Sequence, residues 1–255
     1  MAVTIKSERE IDLMRHSCRL LEEVHDELGR FIRPGISTLD IDRYGHELIM
    51  ERGCVPNFLN YNGYPASICV SVNEEVVHGI PKKDRILKEG DIVSLDAGLI
   101  YKGYHSDAAR TYPVGTVAPE VQQLIDVTKQ SFFEGIKMAK AGNHLHDISN
   151  AIDDFIKPYG YGIVRDLVGH GIGTSLHEDP QIPNFRQHRR WIKLMPGMTL
   201  AVEPMINLGR YDVEWLDDDW TVVAEDGLPS AHYENTILIT EGEPEILTLS
   251  SGKDR

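Results

Sequence analysis

The feature that most constrains this chain is that it repeats itself. RPGISTLDIDRYGHELIMERG and KAGNHLHDISNAIDDFIKPYG share a pattern at an offset of 107 residues. Gly35 matches Gly142, Asp40-Ile41 matches Asp147-Ile148, Ile49 matches Ile156 and Gly53 matches Gly160. The register then runs on into the next segments, where Leu87 and Gly90 of LKEGDIVSLD map onto Leu194 and Gly197 of LMPGMTLAVE, and Asp96 falls on Glu203. A fixed offset that ends with acid on acid implies a duplicated unit.

Each half reads as a long helix, a shorter helix, then strands. Ser7 and Glu10 form a capping-box signature, after which Ile11, Met14, Cys18, Leu21 and Leu28 recur at helical spacing until Pro34-Gly35 stops the helix. The counterpart helix is expected over 120–141, ending at Gly142. Each shorter helix has a polar start and a glycine just past its end. Strands are predicted at 66–72, 92–100, 104–112, 198–206, 220–225, 231–240 and 245–249. Helices outside an antiparallel sheet, in two related halves of about 1–115 and 116–255, make one α+β domain over 1–255.

The segment DIVSLDAGLIYKGYHSDAART reads as a hairpin around Tyr101-Lys102-Gly103. A two-residue loop at 101–102 pairs Ile100 with Gly103 and sets Asp96 directly opposite Asp107. Opposed like charges repel, so a buried pair needs a shared proton or a cation. Taken alone, the same two acids also fit an exposed, wet sheet face. The second half contributes His170 in VGHGIG, Glu203 in LAVEPM and Glu234 in AHYENTILIT. Glu203 and Glu234 sit in apolar surroundings, where an ionised acid is costly. His170 between glycines reads first as a structural loop residue, but with the acids it makes four carboxylates and one imidazole. Four negative charges balance two divalent cations, and an oxygen-rich set with one nitrogen suits Mn²⁺, Fe²⁺, Co²⁺ or Zn²⁺. Two such ions can activate water and polarise a carbonyl.

Composition narrows the rest. A formal charge of −14 disfavours general affinity for nucleic acid, and no apolar run is long enough for a membrane span. MAVTIKSERE lacks the apolar core of a secretory signal, and Cys18, Cys54 and Cys69 read as free thiols in a reducing compartment. The expected location is the cytoplasm, and the expected state a monomer.

From the first helix to EILTL, the chain resembles the type I methionine aminopeptidases of the pita-bread fold. The motifs that carry the resemblance are NGYPASICVSVNEEVVHGIP, GDIVSLDAG, GYHSDAARTY, GHGIGTSLHEDPQIP, LAVEPM and HYENTILIT. The resemblance implies a curved, mainly antiparallel sheet flanked by helices in two pseudo-symmetric halves. It implies two divalent metal ions held by Asp96, Asp107, His170, Glu203 and Glu234, with Asp107 and Glu234 bridging both. Glu203 would be the general acid/base, His78 would contact the substrate amide, and His177 would stabilise the tetrahedral intermediate. Phe58, Tyr61, Tyr64, Cys69, Leu176 and Trp220 would line a pocket for the thioether of methionine. The implied activity is removal of N-terminal methionine from nascent proteins and peptides with a small second residue. Two departures stand out: Asn62 replaces a common histidine, and Leu176 a common aromatic.

An Xaa-Pro aminopeptidase or prolidase shares the fold and ligand types, but usually carries an N-terminal domain for which this chain leaves no space. A non-catalytic binding module on the same fold should show broken ligands, and all five are intact. The family works near the ribosome, and RQHRRWIK at 186–193 is a candidate basic contact, although a solvated loop also accounts for it.

Overall fold

The computed structural model describes residues 3–189 and 192–249. The helices are α1 (Glu8–Phe31), α2 (Thr38–Glu51), α3 (Pro119–Ile136) and α4 (Leu145–Ile156). The strands of the first half are β1 (Val55–Pro56), β2 (Ile68–Val72), β3 (Glu75–Val77), β4 (Ile92–Tyr101) and β5 (Tyr104–Pro113). The second half adds β6 (Gly162–Ile163), β7 (Gly169–Gly171), β8 (Glu178–Ile182), β9 (Thr199–Val202) and β10 (Met205–Asn207). It continues with β11 (Val213–Trp215), β12 (Val222–Ala224), β13 (Ser230–His232), β14 (Glu234–Leu238) and β15 (Glu245–Ile246).

The main sheet runs β1-β4-β5-β14-β9-β7-β8, with β2 also on β4 and β15 also on β14. Two small sheets, β13-β10-β6 and β11-β12-β3, adjoin it. Every one of these pairings is antiparallel. The architecture is the α+β arrangement that the pattern of elements predicts.

Helix α1 forms because its apolar residues fall on one face: Met14, Cys18, Leu21, Val24 and Leu28 are all buried. Glu10 accepts from the backbone N–H of Ser7 at 2.8 Å, tying down an otherwise free donor at its start. That face packs on β4 and β5, with Leu21 and Leu28 joining Val93, Leu95 and Leu99 in one core. A second core gathers Phe132 of α3 and Ile148 and Ile152 of α4 against Leu200, Val202 and Ile237. Full burial of each such side chain contributes about 1.5–3 kcal/mol, so each layer of helices is fastened to its own part of the sheet.

The repeat has a physical basis in matched tethers. Asp40 accepts from the backbone N–H of Ser37 at 3.1 Å, and Asp147 from that of His144 at 2.8 Å, so the matched acids start α2 and α4 in the same way. Ser37 bridges to Ile86, and His144 bridges to Lys193. Gly35 donates to the carbonyl of Leu87, and Gly142 to that of Leu194. Beyond the helices, Gly53 and Gly160 take left-handed φ of 68° and 72°, which a side chain would resist.

Four expectations need correction. Helix α3 stops at Ile136 and not near Gly142, because Met138 and Ala139 donate to Gly135 and Ile136, tightening the chain into short i→i−3 turns. The span 198–206 is two strands, since Pro204 has no N–H to give a ladder. The span 231–240 is likewise divided at Tyr233, whose N–H donates to the Pro204 carbonyl at 3.2 Å, so both chains change sheets at the same level. The fourth correction is the β4–β5 register. The loop is Lys102-Gly103, with φ of 49° and 85°, and Tyr101 pairs with Tyr104. Two successive positive φ values make the tight mirror-image turn that suits hairpin twist. Asp96 therefore lies opposite Ala109, and Asp107 opposite Gly98. The two acids are diagonal neighbours on one face and not a direct pair.

Candidate metal centre and active site

Five strands bring the acids and the histidine together in two adjacent rows on one face of the main sheet. In the first row Asp96 lies opposite Ala109, which lies opposite Glu234. Asn235 pairs with Val202, so Glu203, one residue past Val202, arrives level with Glu234. In the second row Gly98 lies opposite Asp107, while Thr236 lies opposite Ala201, itself opposite His170. Thr236 Oγ1 joins the row, accepting from the Asp107 N–H at 3.2 Å and donating to the Asp107 carbonyl at 2.8 Å. Side chains two apart along a strand share a face, so all five functional groups point the same way. The intervening Gly98, Ala109 and Ala201 are small, which leaves room for the longer acids.

Asp107, His170 and Glu234 are buried, each with a ligand atom within 4.8 Å of the others. His170 Nε2 lies 3.7 Å from Asp107 Oδ2 and 3.7 Å from Glu203 Oε1. Its Nδ1 is 2.9 Å from the Gly171 carbonyl, the arrangement that makes Nδ1 the donor and leaves the Nε2 lone pair facing the acids. Burial pushes the carboxyls of Asp107, Glu203 and Glu234 well above the ordinary range, and Asp96 up to about 7. The same burial holds His170 down to about 3, so its imidazole is neutral.

Asp96 Oδ1, Asp107 Oδ1 and Glu234 Oε1 are buried and have no hydrogen-bond partner among the described residues. Orphaned carboxylate oxygens are costly unless a cation or a shared proton meets them. Oxygen donors clustered with one correctly oriented imidazole nitrogen fit hard or borderline divalent ions. The residues present thus suit the metal that this ligand set implies.

The acids form the floor of a cavity of about 190 Å³. Every other residue singled out from the sequence lines it: His78, His177, Phe58, Tyr61, Tyr64, Cys69, Leu176 and Trp220. Tyr64 meets Trp220 edge-on at 5.1 Å and is fixed by donating to the Gly79 carbonyl at 2.9 Å. Cys69 pairs with Asp96 across the β2–β4 ladder, and burial pushes its thiol up, so it serves as a compact apolar wall. His177 stands 4.4 Å from the His170 ring, with Nδ1 2.8 Å from the Tyr61 hydroxyl. His78 has a left-handed φ of 60° and lies edge-on to Trp220 at 6.3 Å. Burial lowers the pKa of both histidines, that of His78 to about 4. Asn62 is also on the wall.

Sequence reasoning missed Val77, Leu167, Val168 and Met205, which complete the lining. It also missed His232, which is 1% exposed with Nε2 3.7 Å from Glu203 Oε2. Its place two residues before Glu234 offered no signal, because the strand breaks at Tyr233 and alternation does not carry across the break. The basic stretch at 186–193 lies partly outside the described residues; within it, Arg186 is engaged by Asp153 at 3.5 Å and by Asp154.

A buried cluster of metal-type ligands under an apolar cavity defines a metallopeptidase-like site, and residues 12–241 match metallopeptidase family M24; the chain belongs to that family. Within it, the chain is 49% identical to the methionine aminopeptidase of Clostridium acetobutylicum over 247 residues, which is 97% of this chain and 99% of that relative. The crystal structure of methionine aminopeptidase from Thermotoga maritima matches with a TM-score of 0.95 and 42% identity, covering 98% of this chain and 100% of that one. The architecture of two helices in each half on an antiparallel sheet is the pita-bread fold of these proteins. Xaa-Pro dipeptidase from Bacillus anthracis matches with a TM-score of 0.79 and 25% identity, but this chain covers only 62% of it. No helix among the described residues is long and apolar enough to cross a membrane.

Proposed function

We infer that this chain is a metal-dependent aminopeptidase that removes N-terminal methionine from peptides and newly made proteins. The observation that carries the reading is the convergence of Asp96, Asp107, His170, Glu203 and Glu234 on the floor of one cavity with aromatic and apolar walls. The near full-length similarity to methionine aminopeptidases supports it, whereas the Xaa-Pro enzyme is matched over part of its length.

Those five residues would hold two divalent ions of the Mn²⁺, Fe²⁺, Co²⁺ or Zn²⁺ group. Bound there, the ions act as Lewis acids that make water acidic and polarise the scissile carbonyl. The protein supplies the rest. Phe58, Tyr61, Tyr64, Cys69, Leu176 and Trp220 enclose an unbranched thioether and exclude water around it. Glu203, its carboxyl raised by burial, takes the proton of the attacking water and delivers it to the leaving nitrogen. His177, oriented by Tyr61, faces the oxygen on which charge develops, and His78 holds the scissile amide. A cavity of about 190 Å³ leaves little space past the cleaved bond, which favours a small second residue. The chain acts as a monomer in the cytoplasm. Contact with the ribosome would make co-sedimentation salt-sensitive, and salt-independent behaviour rejects it.

The test is release of free methionine from Met-Ala-Ser by chelator-stripped protein, with and without Mn²⁺, Fe²⁺ or Co²⁺, beside an Ala-Pro-Ser control. Metal-restored cleavage of the first peptide alone is expected. Cleavage of the proline peptide instead assigns the Xaa-Pro activity, and silence on both with metal bound assigns a non-catalytic role. Glu203→Gln should remain folded and lose nearly all turnover.

A further inference from the structure

Glu203 stands between two imidazoles. Its Oε1 is 3.7 Å from His170 Nε2, among the candidate ligands, and its Oε2 is 3.7 Å from His232 Nε2. We infer that His232 is a positioning residue, one that holds Oε2 of Glu203 by a hydrogen bond and so leaves Oε1 for the metal and the moving proton. The inference rests on the activity proposed above.

Three observations support this role. His232 is 1% exposed, and neither of its ring nitrogens has a hydrogen-bond partner among the described residues. Such buried donors are rare and costly, so a partner within a small movement is the expected solution. Glu203 Oε2 is that partner, and the terminal torsion of a glutamate is soft enough to close the gap. Asp96 is the acid whose charge acts on His232, but it forms no ion pair with it among the described residues, so Glu203 Oε2 is the carboxylate oxygen within reach.

The second observation is that the imidazole is carried on a clamped backbone. The His232 N–H donates to Thr111 Oγ1 at 2.9 Å, and Thr111 Oγ1 donates back to the His232 carbonyl at 2.9 Å. His232 pairs with Met205, and Tyr233 donates to the Pro204 carbonyl. These bonds lock His232 beside the bend that carries Glu203.

The third is location. His232 is absent from the lining of the catalytic cavity and borders a separate cavity of about 430 Å³, with His25 and Arg110. It therefore acts through Glu203 and not on the substrate. A carboxylate that both ligates a metal and carries a proton needs its two oxygens kept distinct, and a donor behind it does this.

The experiment compares His232→Leu, which keeps bulk without a donor, with His232→Gln, whose amide N–H reaches a similar point. Three readouts are taken: thermal unfolding, kcat and KM on Met-Ala-Ser, and Mn²⁺ affinity of the chelator-stripped proteins by calorimetry. His232→Leu should lower kcat and Mn²⁺ affinity by roughly 10–100-fold with KM little changed, as removal of a group that orients a ligand does. His232→Gln should restore both. A Leu variant with parent-like kcat and Mn²⁺ affinity overturns the inference, as does a folded Gln variant as impaired as Leu. Should the Leu variant fail to fold, His232→Asn, polar but too short, replaces it under the same criteria. If the parent releases no methionine, the proposed activity fails, while calorimetry still decides whether His232 positions Glu203.

Discussion

Lys6 Nζ lies 2.5 Å from Glu178 Oε2, with the two side chains only 5% and 11% exposed, and Glu178 directly follows His177. Thr4 Oγ1 donates to the same carboxylate oxygen at 2.6 Å, and Lys6 also donates to Thr4. The segment before α1 thus fastens the loop that carries Leu176 and His177 into the cavity wall. Lys6→Met leaves the part-buried Glu178 carboxylate with no cation, which should cost about 1–3 kcal/mol. Urea unfolding measures this, and Lys6→Met combined with Glu178→Gln should recover much of the loss. Equal stability of parent and single variant would show that the ion pair adds nothing.

The Tyr61 hydroxyl, 2.8 Å from His177 Nδ1, fixes a ring that lines the cavity. Tyr61→Phe removes about 1 kcal/mol of orientation, so kcat should fall roughly fivefold with KM nearly unchanged. A fall confined to KM would mean that Tyr61 serves binding alone.

Gly98 sits across the ladder from Asp107, where an added methyl would come within 2.8 Å of the Ser106 carbonyl and also meet Asn57. Gly98→Ala should lower stability by about 1–3 kcal/mol through overpacking. Because the strain falls beside Asp107, Mn²⁺ binding should weaken too. Parent-like urea midpoint and affinity together would refute the close packing of that row.

Metal uptake should be strongly pH-dependent. Burial raises Asp96 to about 7 and the other three carboxyls well above their usual range, so the metal-free site keeps its protons to higher pH than free carboxyls do. A cation must displace those protons, and its apparent affinity therefore rises with pH, with the Asp96 share of the rise ending above about 7. His170, held neutral by burial, has no proton to lose there. Calorimetry at pH 6 in buffers of different ionisation enthalpy counts the released protons; a count of zero contradicts the assignment.

The sequence announced much of this site, though unevenly. The tethers Asp40 and Asp147 were visible because capping acids and post-helix glycines are local signals that recur at the same offset. The five candidate ligands were legible through ordered motifs, and the cavity gathers them all. Register was not legible. Whether a hairpin turns on 101–102 or on Lys102-Gly103 depends on backbone angles that no periodicity reports, and the difference moves Asp96 from Asp107 to Ala109. The breaks at Pro204 and Tyr233 were hidden because apolar runs continue across them while the chain changes sheets. His232 escaped for the same reason, as its role comes from a contact across that bend and not from a motif.

Strand β14 lies between β5 and β9 and brings Glu234 to the centre of the sheet. Asp96, Asp107, His170 and Glu203 all precede it in the chain. During synthesis those four are made while the position between β5 and β9 is still vacant, so neither row can close. The main sheet becomes continuous, and the centre complete, only when residues 234–238 enter. Completion of the candidate centre is therefore a late event in the life of each molecule: a polypeptide interrupted before that point carries four of the five candidate ligands on a sheet still split in two.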